Sequence, residues 1–125
     1  MTWCVFCAGR EPVWSNDLAM AVRDSFPVSK GHPLVISRRH APTYFEATPE
    51  ERLALWEGVA AVKSLLDQEL NPDGYNVGFN AGQAAGQTIA HLHIHIIPRF
   101  TGDTPNPAGG IRGVIPEKQS WRVEQ

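Results

Sequence analysis

The chain is short of several things. It has two cysteines, two methionines and two tyrosines among its 125 residues, and no block of like charge. Basic and acidic residues number 11 and 13, for a formal charge of −2. That balance argues against a nucleic-acid arm or a membrane-surface helix, and any phosphate must be gripped by local donors rather than by a general positive field. No run approaches the roughly 18 apolar residues of a membrane span. The opening MTWCVFCAGREPVW has neither the basic start nor the apolar stretch of a secretory signal, so the cytoplasm is the expected compartment. In that compartment Cys4-x-x-Cys7 reads as a metal or redox pair before it reads as a disulfide staple.

What is present suffices for one domain over 1–125, since 42% of the chain is hydrophobic. Leu18 to Asp24 and Pro33 to Ser37 have the composition of short strands, joined by the turn-rich SFPVSKGH. TPEERLALWEGVAAVKSLLDQEL predicts the one long helix. Thr48 and Glu51 have the spacing of a capping box, and Pro49 suits the first helical position. Leu53, Trp56, Val59 or Ala60, Val62 and Leu66 recur at helical spacing and are the expected buried face. Asn71-Pro72-Asp73-Gly74 ends the helix. Tyr75 to Asn80 and Ile89 to Ile97 follow as strands. The Gly- and Pro-rich tail from residue 98 onward reads as loop, with one short strand near Ile111 to Ile115. Strands around a single helix, without βαβ alternation, predict an α+β fold with an antiparallel β-sheet.

Three of the five histidines fall in HLHIHII, at two-residue spacing. In a strand, alternate residues share a face at steps of roughly 6.5–7 Å. His91, His93 and His95 would then line one side while Leu92, Ile94 and Ile96 enter the core. A solvated strand face normally mixes Thr, Lys, Arg and Glu, so three imidazoles point to chemistry. They could ligate a metal, or one ring could act as a nucleophile with its neighbours in support. No carboxylate follows to complete a hydrolase-type metal cluster. The small-residue stretch NAGQAAGQT just before the strand offers backbone N–H groups to anionic oxygens, which favours a phosphate ligand.

HLHIHII resembles the His-x-His-x-His-x-x signature of the histidine triad (HIT) superfamily of nucleotide hydrolases and transferases. FNAGQAAGQTIAHLHIHIIPRFTGD looks like the Fhit-type diadenosine polyphosphate hydrolases, and FCAGR and DSFPVSKGHPLVISRRH fall in that family's order. The resemblance implies that His93 attacks the α-phosphorus and forms a nucleotidyl-histidine. It implies that His95 donates to a phosphate oxygen and helps the leaving group depart. Gln87 and Thr88 match phosphate-contacting positions, as does His32, and Gly86 belongs to the same loop. Asp24 matches a ribose-binding position, Asn80 an amide near phosphates and ribose, and Phe6 and Ile36 match the base pocket. The uridylyltransferase branch carries glutamine at the third triad position, so His95 favours hydrolysis over transfer.

The same resemblance implies a structural zinc held by Cys4, Cys7, His40 and His91, a Cys₂His₂ set with no open position. It also implies a homodimer, with Trp121 within reach of the partner. The expected activity is hydrolysis of dinucleoside polyphosphates or related conjugates. A Hint-type phosphoramidate hydrolase, a nucleotide-sensing module and a metal hydrolase using all three triad rings are the alternatives. Arg99 and Arg112 in the tail are further possible phosphate contacts.

Overall fold

The computed structural model describes residues 4–120, so Trp121 lies outside the described residues. Five strands form one antiparallel sheet: β1 (Trp14–Ser15), β2 (Ala19–Arg23), β3 (Pro33–Ser37), β4 (Gly74–Gly78) and β5 (His93–Arg99), in the order β1-β2-β3-β5-β4. The helix α1 (Pro49–Leu70) connects β3 to β4. The expected α+β architecture is the observed one.

α1 starts where its cap dictates. Thr48 accepts from the Glu51 amide and the Glu51 carboxylate accepts from the Thr48 amide, closing the capping box. Asn71 ends it in the left-handed region at φ 45°. The buried face differs from the periodic one. Glu51, Leu55, Gly58, Val62 and Leu66 face the sheet, whereas Leu53 and Trp56 are exposed at 65% and 41%. Two contacts set this phase. Buried Glu51 is tied to Arg39 at 2.8 Å, which holds its carboxyl below the usual range. A Cβ on Gly58 would stand 2.7 Å from the Trp14 ring and 2.9 Å from Val35, so only glycine lets the helix press on β1 and β3 here.

The sheet divides the interior into two clusters. Ala21, Val35, Ile94 and Ile96 pack under α1 with Leu55, Val62 and Leu66. On the other face Phe6, Val22, Leu34 and Ile36 form a smaller cluster that α1 does not cover. Alternation along β5 therefore puts His93 and His95 on the face without the helix. There they stand opposite Ile36 and Leu34 of β3.

The tail differs from expectation. Residues 111–115 form no strand: Gly110–Val114 and Pro116–Lys118 are short 3₁₀ turns. Gly109 and Gly110 take positive φ, which directs the chain into a turn instead of a ladder.

Candidate active site

β5 begins at His93, four residues later than the expected start at Ile89. The Leu92 amide donates to the Ala41 carbonyl at 2.8 Å instead of to a ladder partner. His91 therefore sits in the turn leading into the strand, yet the three rings keep the expected side: Leu92, Ile94 and Ile96 all enter the helix-side cluster, and Phe6 packs edge-on against both His91 and His93. No ligand cluster contains all three. His91 groups with Cys4, Cys7 and His40, His95 groups with Asp24 and His32, and His93 belongs to neither. A single ion shared by the triad is thereby ruled out among the described residues.

The orientation of the His93 ring is fixed by one backbone contact. Its Nδ1 lies 2.8 Å from the His91 carbonyl oxygen, which can only accept, so Nδ1 carries the proton. Nε2 is left with its lone pair. The ring is 8% exposed, with Phe6 packed edge-on at 5.2 Å between centroids.

The tautomer of His95 is set from further away. The Val28 amide donates to His32 Nδ1 at 3.1 Å, so that nitrogen has a lone pair and the proton of a neutral ring is on Nε2. His32 Nε2 lies 3.0 Å from His95 Nδ1 and donates to it. His95 consequently presents Nε2–H as its free donor. Burial, then the like charges of His93 and His32, pushes the His95 pKa down to about 4. Burial likewise lowers His32 against the opposing pull of Asp24, whose Oδ2 is 3.8 Å from Nδ1. Both rings are therefore neutral near pH 7, and His32 has no lone pair to spare for an ion.

These rings open on a cleft of about 440 Å³, within the range of small-molecule sites. Asp24, Asn80, Gly86, Thr88, His93 and His95 contribute to its wall, and Phe6 to its apolar side. Other expected site residues stand elsewhere. His32 is buried behind His95. Ile36 is 1% exposed beneath Phe6, and Leu34 lines the cleft in its place. Gln87 faces an adjoining hollow, where its amide donates to the Pro42 and Ile89 carbonyls and accepts from the Gly82 amide. Its role in the structure is to brace the loop.

The loop amides also differ from expectation. Those of Gly82, Ala85, Gly86 and Gln87 close the loop on itself, so the donors left to the cleft are side chains, among them Asn80, Thr88 and the histidines. Arg99 is forked onto Asp103 at 2.7 and 2.8 Å and donates to Asn76, lining a separate hollow. Arg10, the last residue of FCAGR, also lines the cleft, a place that no periodicity or spacing in the sequence marks.

At the other end of the triad, one ligand atom each from Cys4, Cys7, His40 and His91 lies within 4.8 Å of the others. Sγ of Cys7 is 3.2 Å from His40 Nδ1 and 3.4 Å from His91 Nδ1, and Cys4 Sγ is 3.5 Å from His91 Nδ1. A tetrahedral zinc with ordinary bond lengths separates its S and N ligands by about 3.3–3.8 Å. His91 Nε2 is 2.8 Å from the Ser37 carbonyl oxygen and donates to it, which frees Nδ1 toward the cysteines. The donor set fits such an ion.

Comparison with known proteins gives a consistent result. A family model described as the HIT domain matches residues 10–102. The adenylylsulfatase HINT3 of Arabidopsis thaliana is 37% identical over 106 residues, covering 80% of this chain and 54% of that protein. The bis(5'-adenosyl)-triphosphatase of Dictyostelium discoideum is 36% identical over 96 residues, covering 77% and 64%. The chain thus spans only about half to two thirds of these two relatives' lengths. Among solved structures, a histidine triad nucleotide-binding protein from Sulfolobus tokodaii superposes with a TM-score of 0.74 at 37% identity, covering 82% of this chain and 73% of that one. A HIT family protein from Bacillus anthracis gives 0.75 at 29% identity, covering 98% and 81%.

Proposed function

The chain belongs to the HIT family, and from that premise we propose that it is a nucleotide hydrolase cleaving dinucleoside polyphosphates at the α-phosphate. The observation that carries the reading is the pair of opposite tautomers in one cleft. His93 offers a lone pair from Nε2, and His95 offers an N–H from its own Nε2.

In the first half-reaction His93 Nε2 attacks the α-phosphorus. The bond to the bridging oxygen breaks, and the second nucleotide leaves with the electron pair. His95 and Thr88 donate to the phosphate oxygens as charge builds. In the second, water attacks the same phosphorus, the P–N bond returns its electron pair to His93, and a nucleoside monophosphate is released with one water proton passing to solvent. A polyphosphate leaves as an anion and needs only charge stabilisation. An amine leaving group must take a proton, and the Nε2–H that His95 turns to the cleft belongs to a neutral imidazole, a poor acid. This favours polyphosphates over phosphoramidates.

The test is a substrate panel at neutral pH: a diadenosine polyphosphate, adenylylsulfate and adenosine phosphoramidate, followed by product chromatography. The polyphosphate should show the highest kcat/KM. A faster phosphoramidate would assign the Hint-type activity, and tight binding with no turnover of any member would assign a sensing module.

We propose further that Cys4, Cys7, His40 and His91 hold a structural zinc, as supported by their spacing. When bound, the ion would supply a fixed anchor for His91 and no substrate chemistry, because four protein ligands fill a tetrahedral site. The proposed partner is a second copy of the chain. The outer edge of β4 has no neighbouring strand among the described residues, and exposed Phe45 and Trp56 are clustered around Tyr44 and Phe79. Sedimentation equilibrium should give twice the chain mass, and a monomer at micromolar concentration would refute it. No helix among the described residues is long and apolar enough to cross a membrane.

A further inference from the structure

The cleft contains one cationic side chain that the chemistry at His93 does not use. Arg10 lines it beside Ser25 and Phe26. Its Nη2 donates to the Arg23 carbonyl oxygen at 2.7 Å and to Ser25 Oγ at 3.1 Å. Those bonds pin the guanidinium to the end of β2. Its Nε and Nη1 donors have no acceptor among the described residues, and the side chain lines the cleft.

Place in the sheet decides what they face. β3 lies between β2 and β5, so the anchor at Arg23 is two strand spacings, about 9.5 Å, from the histidine strand. Asp24 follows Arg23 directly and lines the same wall. With the α-phosphorus at His93 and the ribose at Asp24, a nucleotide continues past Asp24 with its base, and Arg10 is anchored there on both neighbours of Asp24, Arg23 and Ser25. Arginine donates and never accepts. A donor-only group at a base edge rewards a carbonyl oxygen beside a ring nitrogen and opposes an exocyclic amine in that position. Because the group is already clamped, little side-chain freedom is lost on contact.

On the reading of the cleft as a nucleotide site, we propose that Arg10 is a specificity-determining residue that selects 6-oxopurine nucleotides, of the guanine and hypoxanthine type, over adenine nucleotides.

The experiment is calorimetric titration of the protein with GMP, IMP and AMP, repeated with Arg10→Ala and Arg10→Gln. GMP and IMP should bind about tenfold more tightly than AMP, the value of one added hydrogen bond to a charged donor. Arg10→Ala should bring the three affinities together. Arg10→Gln should recover AMP relative to GMP, because an amide can turn its oxygen to an amine. Circular dichroism of each variant checks that the loop change leaves the fold intact, and the glutamine variant still tests the proposal should the alanine variant not fold. AMP binding as tightly as GMP would overturn the proposal, as would a uniform loss of all three in the variants, which would assign Arg10 to general charge attraction. If none of the three nucleotides binds the unaltered protein, the nucleotide-site reading itself falls.

Discussion

His93→Ala is expected to abolish turnover of a dinucleoside polyphosphate while nucleoside monophosphate binding stays within a few-fold of the parent. The nucleophile is the one group in the cleft whose loss no neighbour can make good. His95 has its Nδ1 lone pair taken by His32 and turns a proton toward the cleft, so it cannot attack phosphorus. His91 has Nε2 on Ser37 and Nδ1 among the cysteines. Removing a nucleophile typically costs about 10⁴- to 10⁶-fold in kcat, and a fall of at least about 10⁴-fold is expected here. A second readout separates covalent catalysis from general-base activation of water. Substrate labelled at the α-phosphate and quenched in alkali, where a P–N bond survives, should leave label on the unaltered protein and none on the variant. Residual turnover above about one part in a hundred, or label still attached to the variant, would refute the assignment to His93.

The main lines of this site were legible in the sequence because they are local. A two-residue alternation of histidine and branched aliphatics can only be satisfied by a strand with one polar side. The capping box fixes the start of α1 within four residues of chain. The unreadable parts depend on contacts between distant segments. The order of Val28, His32 and His95 that sets the tautomers joins residues 63 apart, and nothing in SFPVSKGHPLV marks the Val28 amide as the donor that governs it. Leu53 and Trp56 repeat at helical spacing, yet the helix turns them outward. Its phase is decided by a buried Glu51–Arg39 pair and by the need for glycine against Trp14 and Val35. β1, at two residues, is too short to show any alternation. The loop at residues 81–88 looked like an open set of amide donors, but Gln87 folds it shut.

The cluster at the opposite end of the triad leads to the second large effect. Protein prepared without chelators should contain about one zinc per chain, and Cys4→Ala should remove it together with a large part of the folding stability. Structural zinc in small domains contributes binding free energy of roughly 10–16 kcal/mol in peptide systems. Here a hydrophobic core exists independently, so a loss of several kcal/mol, seen as a lower denaturation midpoint, is the expected outcome. The ligands join the N-terminal segment, the turn after β3 and the entry to β5 at one point. The effect on chemistry should be smaller than the effect on stability. His93 meets this end of the triad through the His91 carbonyl that accepts its Nδ1–H and through Phe6, packed edge-on against both rings, while its own backbone is held independently by the pairing of β5 with β3 at Ile36. Folded Cys4→Ala, assayed well below its melting temperature, should therefore retain most of its kcat. A chelator should act in the same way, by slow loss of fold and not by immediate inhibition. Immediate, fully reversible inhibition by chelator would point instead to an ion that takes part in the reaction. Protein found free of zinc and melting at the same temperature with and without chelator would remove the metal from the account altogether. In that case Cys4, Cys7, His40 and His91 would be a hydrogen-bonded cluster whose thiols and imidazoles satisfy one another.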